Sequence, residues 1–63
     1  MAIKLTPRQI SIGYFGKVAQ EWQAKWGRPA AERMILEACE YTECLKISDR
    51  FTIWEVADGK RVA

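Results

Sequence analysis

Two prolines divide this chain into segments, and they constrain its fold more than any other feature. Proline lacks the backbone N–H that a helix interior needs, but it fits the first helical position, where that N–H has no partner. Pro7 follows Thr6, and Gln9 stands three residues after Thr6, which is the pattern of a capping box. This pattern predicts a first helix over about 7–26, with Gly27 as the residue that ends it.

The second proline, Pro29, predicts a second helix over about 29–47. Gly13 and Gly16 lie inside the first helix, where they either mark a close helix contact or break the helix. Apolar residues recur in both segments with the spacing of one helical face, so the two helices are expected to pack together. On the first helix this face comprises Ile12, Phe15, Val18, Ala19, Trp22 and Trp26. On the second helix it comprises Ala31, Met34, Ile35, Ala38, Tyr41, Thr42 and Leu45.

Both ends of the chain carry strand patterns. Residues 2–5 alternate apolar and polar side chains, which predicts a short N-terminal strand. Residues 51–56 are rich in β-forming types, and Asp58-Gly59 is typical of a two-residue type I′ turn, so 51–56 and 60–63 are expected to form a β-hairpin. The predicted fold is therefore a single small domain, residues 1–63, of the α+β class. It is mainly helical, with a two-helix hairpin, a short N-terminal strand and a C-terminal β-hairpin.

The small size of the chain favours a partner. A 63-residue domain buries only about 60% of the surface that its unfolded chain exposes. Four apolar residues remain outside the two packed faces, namely Ile10, Tyr14, Leu36 and Cys39. Either the predicted hairpin covers them or a partner does, and together with the marginal burial they predict a homodimer. Trp54 is a fifth interface candidate, and in the predicted hairpin it would also lie close enough to Arg61 for a cation–π contact.

The chain lacks residues that several kinds of catalytic and metal site require. The chain has no histidine, so no Ser-His-Asp or Cys-His nucleophile can form, and two cysteines alone cannot close a zinc site. Cys39 and Cys44 are too far apart on a helix for an unstrained disulfide and are expected to be free thiols. We therefore expect no enzyme activity, no metal, no cofactor and no small-molecule substrate.

The expected location is the cytoplasm. The longest apolar runs are much shorter than the roughly 18 residues of a membrane span. No signal-peptide apolar region follows Met1. The sequence therefore predicts a protein without a membrane contact.

Two stretches carry a family resemblance. Residues 2–7, Ala-Ile-Lys-Leu-Thr-Pro, resemble the strand and helix start of ribbon-helix-helix DNA-binding proteins of the Arc/MetJ type. Residues 27–38 are similar to that family's turn into its second helix. The resemblance implies an obligate dimer whose paired strands enter the major groove of duplex DNA. It also implies that Lys4 and Thr6 face that groove, and that backbone amides near Arg28 hold a phosphate.

The charge distribution is compatible with this resemblance. The net charge is only +2, but basic residues lie toward the ends of the chain and the predicted connections. Lys4, Arg8 and Arg28 are the candidates for phosphate or base contacts. The first functional hypothesis is therefore a dimeric transcriptional regulator that binds duplex DNA.

The second hypothesis is a compact inhibitor or adaptor that acts by protein–protein contact, of the type that phages and mobile elements encode. Its partner would be a host protein complex, in an anti-defence role or as an inhibitor of host machinery. The near-balanced charge and the surplus apolar residues favour this alternative. In that case binding is expected to centre on apolar anchors such as Tyr14, Leu36 and Trp54.

Overall fold

The computed structural model describes residues 4–60, which form three helices. These are α1 (Pro7–Trp26), α2 (Arg28–Tyr41) and α3 (Asp49–Ala57). Helix α1 packs extensively against both other helices, whereas α2 and α3 touch each other only slightly. Contacts at the two ends of α3 show that it runs parallel to α1 and antiparallel to α2.

The predicted first helix is confirmed at both ends. The Gln9 backbone N–H donates to Thr6 Oγ1 at 3.2 Å, and the Thr6 N–H donates to Gln9 Oε1 at 2.9 Å, so the capping box is complete. At the other end Gly27 adopts φ 88°, a left-handed value that glycine reaches without steric cost. Its N–H closes the helix on the Gln23 carbonyl. One residue therefore separates α1 from α2.

The second helix is shorter than the sequence predicts. It ends at Tyr41 instead of near Ile47, and Thr42 is extended with φ −100° and ψ 115°. The Thr42 hydroxyl donates to the Ala38 carbonyl at 2.7 Å and occupies an acceptor of the last turn. The chain leaves the helix at this residue, and residues 42–48 then lead into α3.

The predicted β-hairpin is wrong, because residues 49–57 form α3. The Asp58-Gly59 pair ends this helix. The Lys60 N–H donates to the Glu55 carbonyl at 2.8 Å, and the Gly59 N–H donates to the Val56 carbonyl at 3.1 Å. These two bonds are those of a Schellman motif, with Gly59 at φ 77°. The left-handed glycine that suggested a hairpin turn is equally suited to a helix end.

The α+β class is therefore wrong as well, since the described residues contain helices and no strand. Lys4 and Leu5 are not in a strand, and the rest of the predicted N-terminal strand lies outside the described residues. Arg61 also lies outside them, together with most of the predicted second hairpin strand. Within the described part of the chain, Trp54 stacks against Arg28, whose guanidinium carbon lies 3.9 Å from the ring centroid.

The core lies where α1 meets the other two helices. Ile35, Ile53, Ala19 and Ala31 are fully buried, and partly buried hydrophobic residues, Phe15, Trp22 and Val56, pack around this core. The predicted core faces largely coincide with the observed core, which contains Ile12, Ala19, Ala31, Ile35 and Leu45 from them. Two residues assigned to those faces are exposed, Trp26 at 54% and Tyr41 at 85%.

Gly16 explains how closely α1 and α3 approach. A Cβ atom at this position would lie 2.4 Å from Val56 Cγ1 and 3.0 Å from Val56 Cβ. Real Cβ atoms do not approach other carbons so closely, so any side chain here would force Val56 to shift. Gly16 therefore marks a close helix contact and does not break α1, which settles the two alternatives for this residue.

A buried carboxylate joins the starts of α1 and α3. Asp49 is 1% exposed, and its carboxylate accepts hydrogen bonds from the Arg8 guanidinium, with Nε at 3.1 Å from both oxygens. It also accepts from the Lys46 backbone N–H at 2.8 Å. The Asp49 N–H in turn donates to the Lys46 carbonyl, so two reciprocal hydrogen bonds between Lys46 and Asp49 stabilise the turn into α3. We call this arrangement the Arg8–Asp49 clamp.

We expect the clamp to make stability fall at acid pH. Hydrogen bonding to Arg8, and then to the Lys46 N–H, holds the pKa of Asp49 below its ordinary value, although burial opposes this effect. A carboxyl with a lowered folded pKa stabilises the fold above its unfolded pKa of about 3.9, and that contribution is lost as the pH falls through the folded pKa. Thermal unfolding followed from pH 7 to pH 2 should show this loss. Asp49→Asn should have a shallower pH dependence, and an unchanged slope would contradict the prediction.

Candidate functional site

An open groove lies between α2 and α3. These two helices make few contacts with each other, whereas both pack extensively against α1. The volume of the groove is about 420 Å³. Helix α2 contributes Arg28, Glu32, Arg33 and Leu36, and the α3 segment contributes Arg50, Phe51, Trp54, Glu55, Asp58 and Lys60. We call it the α2–α3 groove.

The apolar part of the groove consists of three side chains with graded exposure. Trp54 is nearly buried at 8% exposure, Leu36 is half-buried, and Phe51 is 61% exposed. Trp54 belongs to the core and to the groove at once, because its ring lies between the core and Arg28. The exposed apolar surface of the groove is therefore supplied mainly by Phe51, with Leu36 beside it.

Arg28 holds one end of the groove together. Its Nη1 and Nη2 donate to the two carboxylate oxygens of Asp58 at 3.0 and 3.3 Å, which is a bidentate pair. Its Nε donates to Glu32 at 2.9 Å, and Nη1 also reaches Gln23 Oε1 at 3.2 Å. Arg28 hydrogen bonding lowers the pKa of Asp58, against a smaller opposing effect of burial. The guanidinium is therefore fixed between the start of α2 and the end of α3.

Arg50 lies at the other end of the groove, and its contacts are with residues of its own segment. Its guanidinium carbon lies 4.2 Å from the Phe51 ring centroid, and Nη1 donates to the Ile47 carbonyl at 2.8 Å. Stacking and one hydrogen bond orient the guanidinium without an acidic partner within salt-bridge distance among residues 4–60. The side chain is half-buried and lines the groove.

The groove brings together three residues that the sequence singled out separately. Arg28 was a candidate for nucleic-acid contact, and Leu36 and Trp54 were candidates for a protein interface; all three line the groove. Cys39, another interface candidate, is instead 1% exposed in the core, where burial raises the pKa of its thiol. The remaining apolar candidate pair, Ile10 and Tyr14, is 56% and 63% exposed.

The other predicted nucleic-acid residues are not gathered with Arg28. Lys4, Thr6 and Arg8 lie at the start of α1, and Arg28 follows its end, so a 20-residue helix of about 30 Å separates them. The Thr6 hydroxyl caps α1, and the Arg8 guanidinium is bound in the clamp. The four residues therefore do not lie together on one basic face of the protein.

Sequence reasoning missed Arg33, Arg50 and Phe51 as site residues. Phe51 was assigned to a strand, in which alternating side chains would have placed it on the opposite face from Trp54. The signal was nevertheless present in the spacing. Arg50, Trp54 and Asp58 recur every four residues, as Arg28, Glu32 and Leu36 do on α2, and this spacing puts each set on one side of a helix.

Other candidate chemistry is sparse in the described part of the chain. Cys39 and Cys44 are free thiols, as expected, and Cys44 lies 3.2 Å from the Ser11 hydroxyl. Residues 4–60 contain no group of three or more Cys, Asp or Glu side chains arranged to hold a metal ion. None of the three helices has the length and apolar character needed to cross a membrane.

The chain was compared with known protein families, curated proteins and solved structures, and no match was found.

Proposed function

We propose that this chain is a small non-enzymatic binding protein that recognises a partner protein through the α2–α3 groove. The observation that carries the proposal is the grouping of Leu36, Phe51 and Trp54 between two stacked arginines. Aromatic and arginine side chains are enriched at protein interfaces, and they dominate the binding energy of many of them. An inhibitor or adaptor of host proteins is the role that fits this site.

The geometry favours this reading over the DNA-binding one. Lys4, Arg8 and Arg28 do not share a face, and two of their three charged groups are bound within the fold. Recognition of base edges in the major groove needs side-chain donors that are free to reach them. The α2–α3 groove, in contrast, presents its apolar and cationic groups within one surface.

The test is site-specific cross-linking in a host-cell lysate. A photoreactive amino acid at Phe51 should cross-link to a partner protein, whereas the same group at Tyr41 should not. Tyr41 is the matched control because it is an aromatic residue with even greater exposure, 85%, and lies outside the groove. Nuclease treatment should leave the cross-link unchanged.

Substitution provides the second part of the test. Phe51→Ala should abolish capture of that protein without unfolding the chain, since Phe51 is exposed and alanine favours a helix. Tyr41→Ala should capture it as the wild type does. Capture that disappears with nuclease, or that is equally sensitive to Tyr41→Ala, would contradict a protein-binding groove and favour the DNA-binding hypothesis.

A further inference from the structure

We infer that the segment bound in the α2–α3 groove is an acidic amphipathic helix of the partner, with apolar side chains on one face and carboxylates beside them. This inference rests on the proposed function, since it names the chemistry that the same groove selects. It follows from the length of the groove, its apolar side chains, and two arginines of the groove, Arg33 and Arg50, that form no salt bridge within residues 4–60.

The length of the groove suits a short helix. From Arg50 to Asp58 the α3 side is about 12 Å long, at 1.5 Å per residue. The α2 side from Arg28 to Leu36 has the same length, and the two helices run antiparallel. Two or three turns of a partner helix span this distance, and helix-in-groove binding uses anchors on one apolar face. Leu36 and Phe51 are the surfaces that such anchors would cover.

The charges select an acidic partner. Asp58 and Glu32 are both bonded to Arg28, so this arginine offsets one of their two negative charges. Across the whole groove, four basic side chains face three acidic ones, which leaves a net charge of +1. Arg33 and Arg50 have no salt-bridge partner among residues 4–60. Carboxylates beside the apolar anchors would pair with these two cations, whereas lysines at the same positions would be repelled.

The arginine stacks also disfavour a nucleic acid in this groove. Single-stranded nucleic acids bind by stacking bases on open aromatic faces. Here Arg28 stacks on Trp54 and Arg50 stacks on Phe51, so each ring already has a guanidinium against it. Trp54 is moreover only 8% exposed. The rings serve to orient cations rather than to receive bases.

The experiment is a titration of the isotope-labelled protein with designed peptides, followed by backbone amide shifts. The probe is a peptide of about 18 residues, long enough to be helical, with leucines on one face and glutamates beside them. It should shift amides of residues 28–36 and 50–58. The same peptide with lysine in place of glutamate should bind about tenfold more weakly, since like charges then face each other. Equal or tighter binding of the lysine peptide would overturn the inference.

Charge reversal on the protein provides the matched control. Arg33→Glu and Arg50→Glu should each weaken the acidic peptide about tenfold and strengthen the lysine peptide. Lys17→Glu makes the same change of net charge at an exposed site outside the groove, and it should have little effect. An equal loss with Lys17→Glu would mean attraction by net charge alone and would overturn the inference.

The failure of this inference can be separated from failure of the proposed function. If the protein cross-linked at Phe51 binds through a basic or uncharged segment, the acidic partner is wrong and the groove remains the binding site. If the acidic peptide binds the groove but no protein cross-links at Phe51, the proposed function is wrong and the chemical selectivity of the groove stands.

Discussion

Asp49→Ala should lower the free energy of unfolding by about 3 kcal/mol, an amount comparable with the total stability of many domains of this size. The substitution removes a nearly buried carboxylate that accepts from Arg8 and from the Lys46 N–H. Hydrogen bonds to a charged group contribute about 1.5–3 kcal/mol each. The Arg8 side chain is 57% exposed, so water can hydrogen-bond to its guanidinium when the carboxylate is removed. The expected loss is therefore smaller than the combined contributions of the hydrogen bonds from Arg8 and from Lys46. Urea unfolding followed by circular dichroism measures the effect.

The matched control is Glu40→Ala, which removes one negative charge from an exposed position on α2. It should change stability by less than about 0.5 kcal/mol, as most surface substitutions do. Asp49→Asn should be intermediate, because the amide oxygen still accepts from Lys46 while the charge facing Arg8 is gone. If Asp49→Ala and Glu40→Ala unfold at the same urea concentration, the clamp does not stabilise the fold.

Gly16→Val should destabilise the protein by about 3 kcal/mol, because overpacking of this size forces the backbone to shift. The added Cβ alone would meet Val56 Cγ1 at 2.4 Å, and a β-branched neighbour has little freedom to move aside. The higher helix propensity of valine offsets only a few tenths of a kcal/mol. Urea unfolding of the variant, measured beside the wild type, checks the prediction.

A double-substitution cycle separates steric conflict from other causes. Gly16→Ala alone should be destabilising, although alanine gains about 1 kcal/mol over glycine within a helix. In a Val56→Ala background the space beside Gly16 opens, so Gly16→Ala should become neutral or stabilising there. If Gly16→Ala costs the same in both backgrounds, Val56 is not what requires glycine at this position.

The ends of α1 could be predicted because their signals are satisfied locally. Thr6 and Gln9 bond each other across three residues, and Gly27 closes the helix on Gln23 four residues earlier. Such contacts form within one turn of backbone and depend little on the rest of the fold. The prediction of a helix over 7–26 was correct for this reason.

Helix α3 could not be predicted in the same way. Thr52, Ile53 and Val56 have β-branched side chains that favour strands in isolation, and Gly59 is left-handed in a hairpin turn and at a helix end alike. Packing decided between the two. Ile53 is fully buried and Val56 lies against Gly16, so burial against α1 outweighs a local preference of at most about 1 kcal/mol.

The candidate site depended even more on distant contacts. The sequence by itself determined where α1 begins and ends and which catalytic residues the chain lacks, because composition and short-range hydrogen bonding settle both. Only the tertiary structure paired Arg28 with Asp58, 30 residues away, and Arg8 with Asp49, 41 residues away. Neither pair has a local signature, because charged residues become partners through the packing of the helices that carry them. The groove exists for the same reason: α1 holds α2 and α3 beside each other and leaves their outer sides open.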